Sequence, residues 1–139
     1  MQFDHEKLDV YQLTLQLIAW VTPLISEVRE KHGKLVSEVS DHLDRASLSI
    51  LFNTAEGNGK RQRQTRAKFF DDARGSATEC AACLDALVAK RACAEPRVQA
   101  GKDMLLRIVS MLTKLVAKFE DPEGLREEIA TYQANESPA

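Results

Sequence analysis

Four long apolar periods, with few helix breakers inside them, constrain this chain more than any other feature. Its 139 residues include only 6 glycines and 4 prolines, and most of these fall at the borders of the periodic stretches. Sparse breakers favour long uninterrupted helices over many turns.

The first period runs over 8–31. Pairs at Val10/Tyr11, Leu17/Ile18 and Leu24/Ile25, with Val21 and Val28 between them, draw a heptad-like stripe. Leu13 and Trp20 widen it. Asp9 suits either the N-cap or the first turn, Pro23 predicts a kink, and His32-Gly33 predicts the stop. Lys34–Ser40 reads as a connecting loop with Ser37 or Ser40 as the next N-cap. A second helix follows over 38–56. It has Leu43, Ala46, Ile50 and Asn53 or Thr54 inward, and Leu48, Leu51, Phe52 and Ala55 on another side. Gly57-Asn58-Gly59 is expected to end it in left-handed backbone, with Lys60–Gln64 as loop and Thr65 as cap.

The third helix is expected over 66–91. Phe69, Phe70, Ala73, Ala77, Cys80, Leu84, Leu87 and Val88 form its stripe, and its many small residues imply close contact on more than one side. Pro96 suits the first turn of a fourth helix over 96–118. Asp121-Pro122-Glu123-Gly124 ends it, and a short amphipathic piece, Leu125–Tyr132, precedes a frayed end within the tail 121–139. The pattern predicts one all-α domain, an antiparallel up-down-up-down four-helix bundle. Helices one, two and three each look apolar on more than one side, which predicts self-association.

Charge is distributed unevenly. The net charge is −2, yet residues 1–44 carry four Lys/Arg against eight Asp/Glu, 45–74 seven against three, and 75–139 eight against ten. The basic middle holds Lys60, Arg61, Arg63, Arg66 and Lys68 around a helix start, with Arg74 two turns on. Clustered cations beside free helix N–H groups suit phosphate. The plainer reading is a solvated loop paired with Asp71, Asp72 or the N-terminal helix. No aromatic residue sits within the cluster in sequence, so binding would be sequence-tolerant and salt-dependent rather than based on stacking.

Two blocks carry a family resemblance: Arg45-Ala46-Ser47-x-Ser49-Ile50-x-x-Asn53-x-Ala55-Glu56-Gly57, and Lys68-Phe69-x-x-x-Ala73-Arg74-Gly75-Ser76-Ala77-x-Glu79. Leu8-Asp9-Val10-Tyr11-Gln12 opens the first helix. Together they resemble the four-helix bundle family of proteins encoded in intervening sequences of bacterial 23S ribosomal RNA genes, often labelled S23 ribosomal protein. The accessory variability determinant of diversity-generating retroelements belongs to the same group. The resemblance covers roughly 8–118. It implies a small bundle assembling as a ring-like homopentamer and, in the retroelement branch, a basic surface that binds nucleic acid, RNA or DNA, and a reverse transcriptase. This chain departs from that branch in being slightly acidic overall.

Arg45, Glu56, Ser76 and Glu79 are the polar positions of these blocks. They read as a structural network at a helix crossing, with Arg45 and Glu56 pairing across to Arg74 and Glu79. Glu56 and Glu79 as an acid/base pair is the catalytic alternative, but no nucleophile, metal set or phosphate loop accompanies them, so no enzyme is expected. Cys80 and Cys83 form a C-x-x-C inside a helix without a second pair, which suits buried small hydrophobes better than zinc. The opening M-Q-F-D-H-E-K lacks the apolar core of a signal peptide, and no run is long enough to span a membrane. An odd number of cysteines without such a signal points to free thiols in the cytoplasm. No metal and no cofactor is expected. The functional expectation is an oligomeric accessory protein touching nucleic-acid phosphates through 60–74; the alternative is a protein-interaction scaffold.

Overall fold

The computed structural model describes residues 1–121 and 129–130. After a 3-10 turn over Asp4–Lys7, four helices follow: α1 Asp9–His32, α2 Ser37–Gly59, α3 Arg63–Ala89 and α4 Glu95–Glu120. Each packs on its neighbour in sequence, and α1 closes the bundle against α4. This is the expected up-down-up-down order. Helix ends moved by a few residues from the sequence reading, as frayed termini do. The piece expected over Leu125–Tyr132 and the frayed end lie outside the described residues, apart from helical Ile129 and Ala130.

The core is one apolar cluster fed by all four helices. From α1 it takes Val10, Leu13, Leu17, Val21, Leu24, Ile25 and Val28; from α4, Val98, Leu105, Ile108, Leu112 and Val116. Steps of three and four put these on one face. Buried Thr14 and Thr54 bond back to the carbonyls of Val10 and Ile50, each at 2.7 Å, so their hydroxyls do not compete for packing. Ser40 is the exception among the described residues: it is fully buried and its hydroxyl has no partner.

α1 continues through Pro23, which sits on an exposed face beside exposed Ala19; the carbonyl that Pro23 leaves unpaired can therefore be hydrated. Several local expectations need correction. Lys34–Ser40 is not a loop. A 3-10 turn over Gly33–Val36 leads straight into α2, and neither Ser37 nor Ser40 caps it. Gly33 does adopt positive φ, 54°, and ends α1 as expected. Gly57 and Gly59 do not: α2 continues through both. Gly57 is needed for close approach instead, since a Cβ there would lie 3.0 Å from Phe69 Cβ and 3.1 Å from Phe70 Cε1. The loop shrinks to 60–62, and Thr65 lies inside α3 rather than capping it.

The α3–α4 turn uses a non-glycine residue. Arg91 N–H donates to Val88 and Ala92 N–H to Leu87, both at 2.9 Å, with Arg91 at φ 59°. That is a Schellman end with arginine where glycine is usual. Pro96 does stand in the first turn of α4.

Candidate nucleic-acid interface

The α2–α3 junction is tight because α2 and α3 are antiparallel and nearly in contact at Gly57. Fully buried Phe70 lies under this contact, and its ring centroid is 5.8 Å from that of Phe119 near the end of α4. Antiparallel order brings the end of α4 beside the start of α3. Four of the six cations singled out from the sequence, Lys60, Arg63, Arg66 and Lys68, therefore lie against an aromatic floor, and all six divide by what they touch.

Arg63 donates from Nη2 to the Lys118 carbonyl at 2.5 Å, and its guanidinium is 5.0 Å from the Phe119 ring centroid. That carbonyl lies in the last turn of α4, where no intrahelical partner exists. Arg66 donates from Nε to the Lys60 carbonyl at 2.5 Å and lies 5.3 Å from the same ring. These two arginines fasten the loop and the α4 terminus. Lys60 and Lys68 flank Phe69, at 5.1 and 5.4 Å from its centroid. Lys68 also pairs with Asp72 at 3.1 Å. Arg74 pairs with Asp71 and reaches Thr113 Oγ1 at 3.4 Å. Only Arg61, among these six, is exposed with no bond, ion pair or ring contact among the described residues.

The expected neutralisation by Asp71 and Asp72 is present. The N-terminal segment contributes differently: Asp4 accepts from Asn58 Nδ2 at 2.8 Å and binds no cation of the patch. Sequence reasoning missed Phe119 and Lys118, whose ammonium is 5.2 Å from the Phe119 centroid. They lie some fifty residues from the cluster, and only the helix order could have placed them there. Contrary to the local reading, aromatic rings do interleave with these cations. α3 begins at Arg63 with Gln62 as N-cap and no side-chain cap, so its first N–H groups have no side-chain acceptor.

The polar positions do not form the expected network. Ser76 does bridge the crossing, its Oγ lying 2.9 Å from that of Ser49, and Asn53 Nδ2 donates to Ser49 Oγ at 3.0 Å. Glu79 pairs with His42 at 3.3 Å. Arg45 and Glu56 pair with neither Arg74 nor Glu79: both are exposed and make no hydrogen bond or ion pair among the described residues. Eleven residues apart, they share one exposed side of α2.

Cys80, Cys83 and Cys93 are free thiols. Burial first, then the nearby Cys83 and Glu79 charges, push the Cys80 thiol up to about 12. Burial and then Glu79 raise Cys83 as well. Both stay protonated at neutral pH, the opposite of a reactive or metal-binding thiolate. No group of three or more His, Cys, Asp or Glu among the described residues is placed to hold a metal. No helix among them is long and apolar enough to cross a membrane.

No curated protein matches the chain. A family model described as 23S rRNA-intervening sequence protein matches residues 6–114. The match spans α1, α2, α3 and most of α4, including the junction and both polar blocks, and the chain belongs to this 23S rRNA-intervening sequence protein family.

Proposed function

We infer that the chain is a non-catalytic, self-associating helical bundle whose α2–α3 junction contacts nucleic-acid phosphates. The observation that carries the phosphate reading is Arg61. It stands exposed and unpartnered, with Lys60 beside it, at the uncapped start of α3. A phosphate there would accept from the free N–H groups and from both cations. The other patch cations are tied into the fold rather than converging on one point, and this favours a binding surface over a reaction centre.

Self-association is supported by the outer side of α2, where Leu48, Leu51 and Ala55 are half-buried and Phe52 is 56% exposed. A contiguous apolar stripe on a surface helix suits an interface. The ring-like pentamer implied by the family resemblance would repeat the junction around an axis, so that weak phosphate contacts act together.

Gel-shift titration against single-stranded and duplex RNA and DNA, at rising salt, tests the phosphate reading. Binding should weaken steeply with salt and fall in Arg61→Glu and Lys60→Glu. Absence of salt-sensitive binding, or full binding by the double variant, would refute it and leave the scaffold reading, whose signature is a co-purifying protein such as a reverse transcriptase. Light scattering tests assembly, and a monomer at tens of micromolar refutes that part.

A further inference from the structure

The outer face of α2 carries a line of four residues: Arg45, Leu48, Phe52 and Glu56. The same steps of three, four and four recur on α3 and its C-cap as Glu79, Ala82, Ala86 and Lys90. Each set forms a single line along its helix, with its end charges about 16 Å apart at 1.5 Å rise per residue. The two lines are opposite in every respect. One runs positive, large, large, negative; the other runs negative, small, small, positive.

The α3 line is a wall of a cleft. The cleft holds about 500 Å³ between the start of α2 and the end of α3; Leu35, Val39 and Cys83 add to its apolar lining, and Lys34, Glu38 and His42 stand on the α2 side. Leu35 is 51% exposed there. Lys90 makes no ion pair among the described residues. Glu79 touches His42 through Oε2 only, at 3.3 Å, and its side chain is 60% exposed, so its other oxygen remains free to accept.

We propose that the α2 line of one copy seats in the α2–α3 cleft of a second copy, parallel to its α3. In that register Arg45 meets the partner's Glu79, Leu48 and Phe52 fill the space over Ala82 and Ala86, and Glu56 meets Lys90. The proposal rests on the self-association inferred above and adds the surfaces and their register. The complementary order of charge and size is what selects a second copy as the occupant. The contact joins unlike surfaces, so each copy offers one line and one cleft. Such head-to-tail contacts give a ring where the rotation between copies closes and an open filament where it does not.

Charge exchange at the Glu56–Lys90 contact provides the test, because neither residue has a partner within its own chain among the described residues. Association is read by sedimentation and light scattering, with circular dichroism to confirm folding. Glu56→Lys and Lys90→Glu should each weaken association by about tenfold or more through like-charge contact. The double variant should recover wild-type mass, and so should an equimolar mixture of the two single variants. Phe52→Asp should leave the bundle folded and monomeric. A monomeric wild-type chain overturns both this pairing and the assembly reading. A wild-type oligomer that survives Phe52→Asp, or single variants that the exchange fails to rescue, overturns this pairing alone.

Discussion

Replacing Arg61, Arg63 and Arg66 one at a time by alanine should separate structural cations from free ones. Arg66 carries the largest expected cost. Its half-buried guanidinium holds the Lys60 carbonyl at 2.5 Å and lies 5.3 Å from the Phe119 centroid. A hydrogen bond from a charged donor contributes about 1.5–3 kcal/mol, and a surface cation–π contact about 0.5–1 kcal/mol. The side chain is partly hydrated and one truncation removes both, so the lower ends apply, giving a loss of about 2 kcal/mol. For a chain of this size that lowers Tm by roughly 6 °C. Arg63 makes the same two kinds of contact, the Lys118 carbonyl and the Phe119 ring, from a more exposed position, where hydration reduces both, and about 1 kcal/mol is expected there. Arg61→Ala should stay within about 0.5 kcal/mol of wild type, as surface substitutions do. Urea unfolding followed by far-UV circular dichroism gives the three values, with the slope expected to stay constant. An Arg66→Ala midpoint indistinguishable from that of Arg61→Ala would refute the division. The division also has a practical consequence: reversing all three charges together would perturb the junction itself, so lost binding in that variant would say little about phosphate contact.

Three further substitutions probe the frame. Arg91→Gly should stabilise by about 1 kcal/mol, because it relieves an L-residue from φ 59° at the Schellman position; an unchanged urea midpoint would contradict that. Gly101→Ala places a Cβ 2.2 Å from Trp20 Cζ3, so overpacking of about 1–3 kcal/mol should outweigh the helix-propensity gain of about 1 kcal/mol. Trp20→Leu in the same chain should recover part of the loss, a coupling that a double-mutant cycle measures. Finally, burial holds the Cys80 proton up to about 12 in the fold, against 9.0 for an unperturbed thiol. The unfolded chain ionises first, so it binds fewer protons above pH 9 and stability falls as pH rises from about 9 to about 12. Urea midpoints measured across the alkaline range should lose part of that slope in Cys80→Ala.

The helices and their order were legible because long apolar periods leave a bundle few alternatives. What escaped the sequence was the use made of individual residues. Gly57 carries no mark that distinguishes a left-handed stop from a close crossing; the difference lies in Phe69 and Phe70, on another helix. Arg45 and Glu56 have the right signs to pair with Glu79 and Arg74, but those two are taken by nearer partners, His42 and Asp71, and Arg45 and Glu56 stand exposed on α2. Arg63 and Arg66 look interchangeable with Arg61 until the end of α4 is placed beside them.

The same three arginines show how a charge cluster divides in a bundle. Where helices meet end to end, terminal carbonyls lack partners, and nearby guanidinium groups are drawn in to satisfy them. Only a cation that finds no carbonyl, carboxylate or ring remains available to a ligand. At this junction that cation is Arg61, and Lys60 is its least constrained neighbour, held by one ring contact alone. Of six cations in the sequence, Arg61 and Lys60 are thus the two whose side chains bond neither a carbonyl nor a carboxylate among the described residues. Unassembled copies should therefore hold nucleic acid weakly, with a shallow salt slope that scales with the phosphates neutralised. The proposed assembly would multiply the number of such pairs and should steepen the slope. If Phe52→Asp dissociated the chain but left the salt slope unchanged, binding would not depend on the repeated junction, and the link between assembly and phosphate contact would fall.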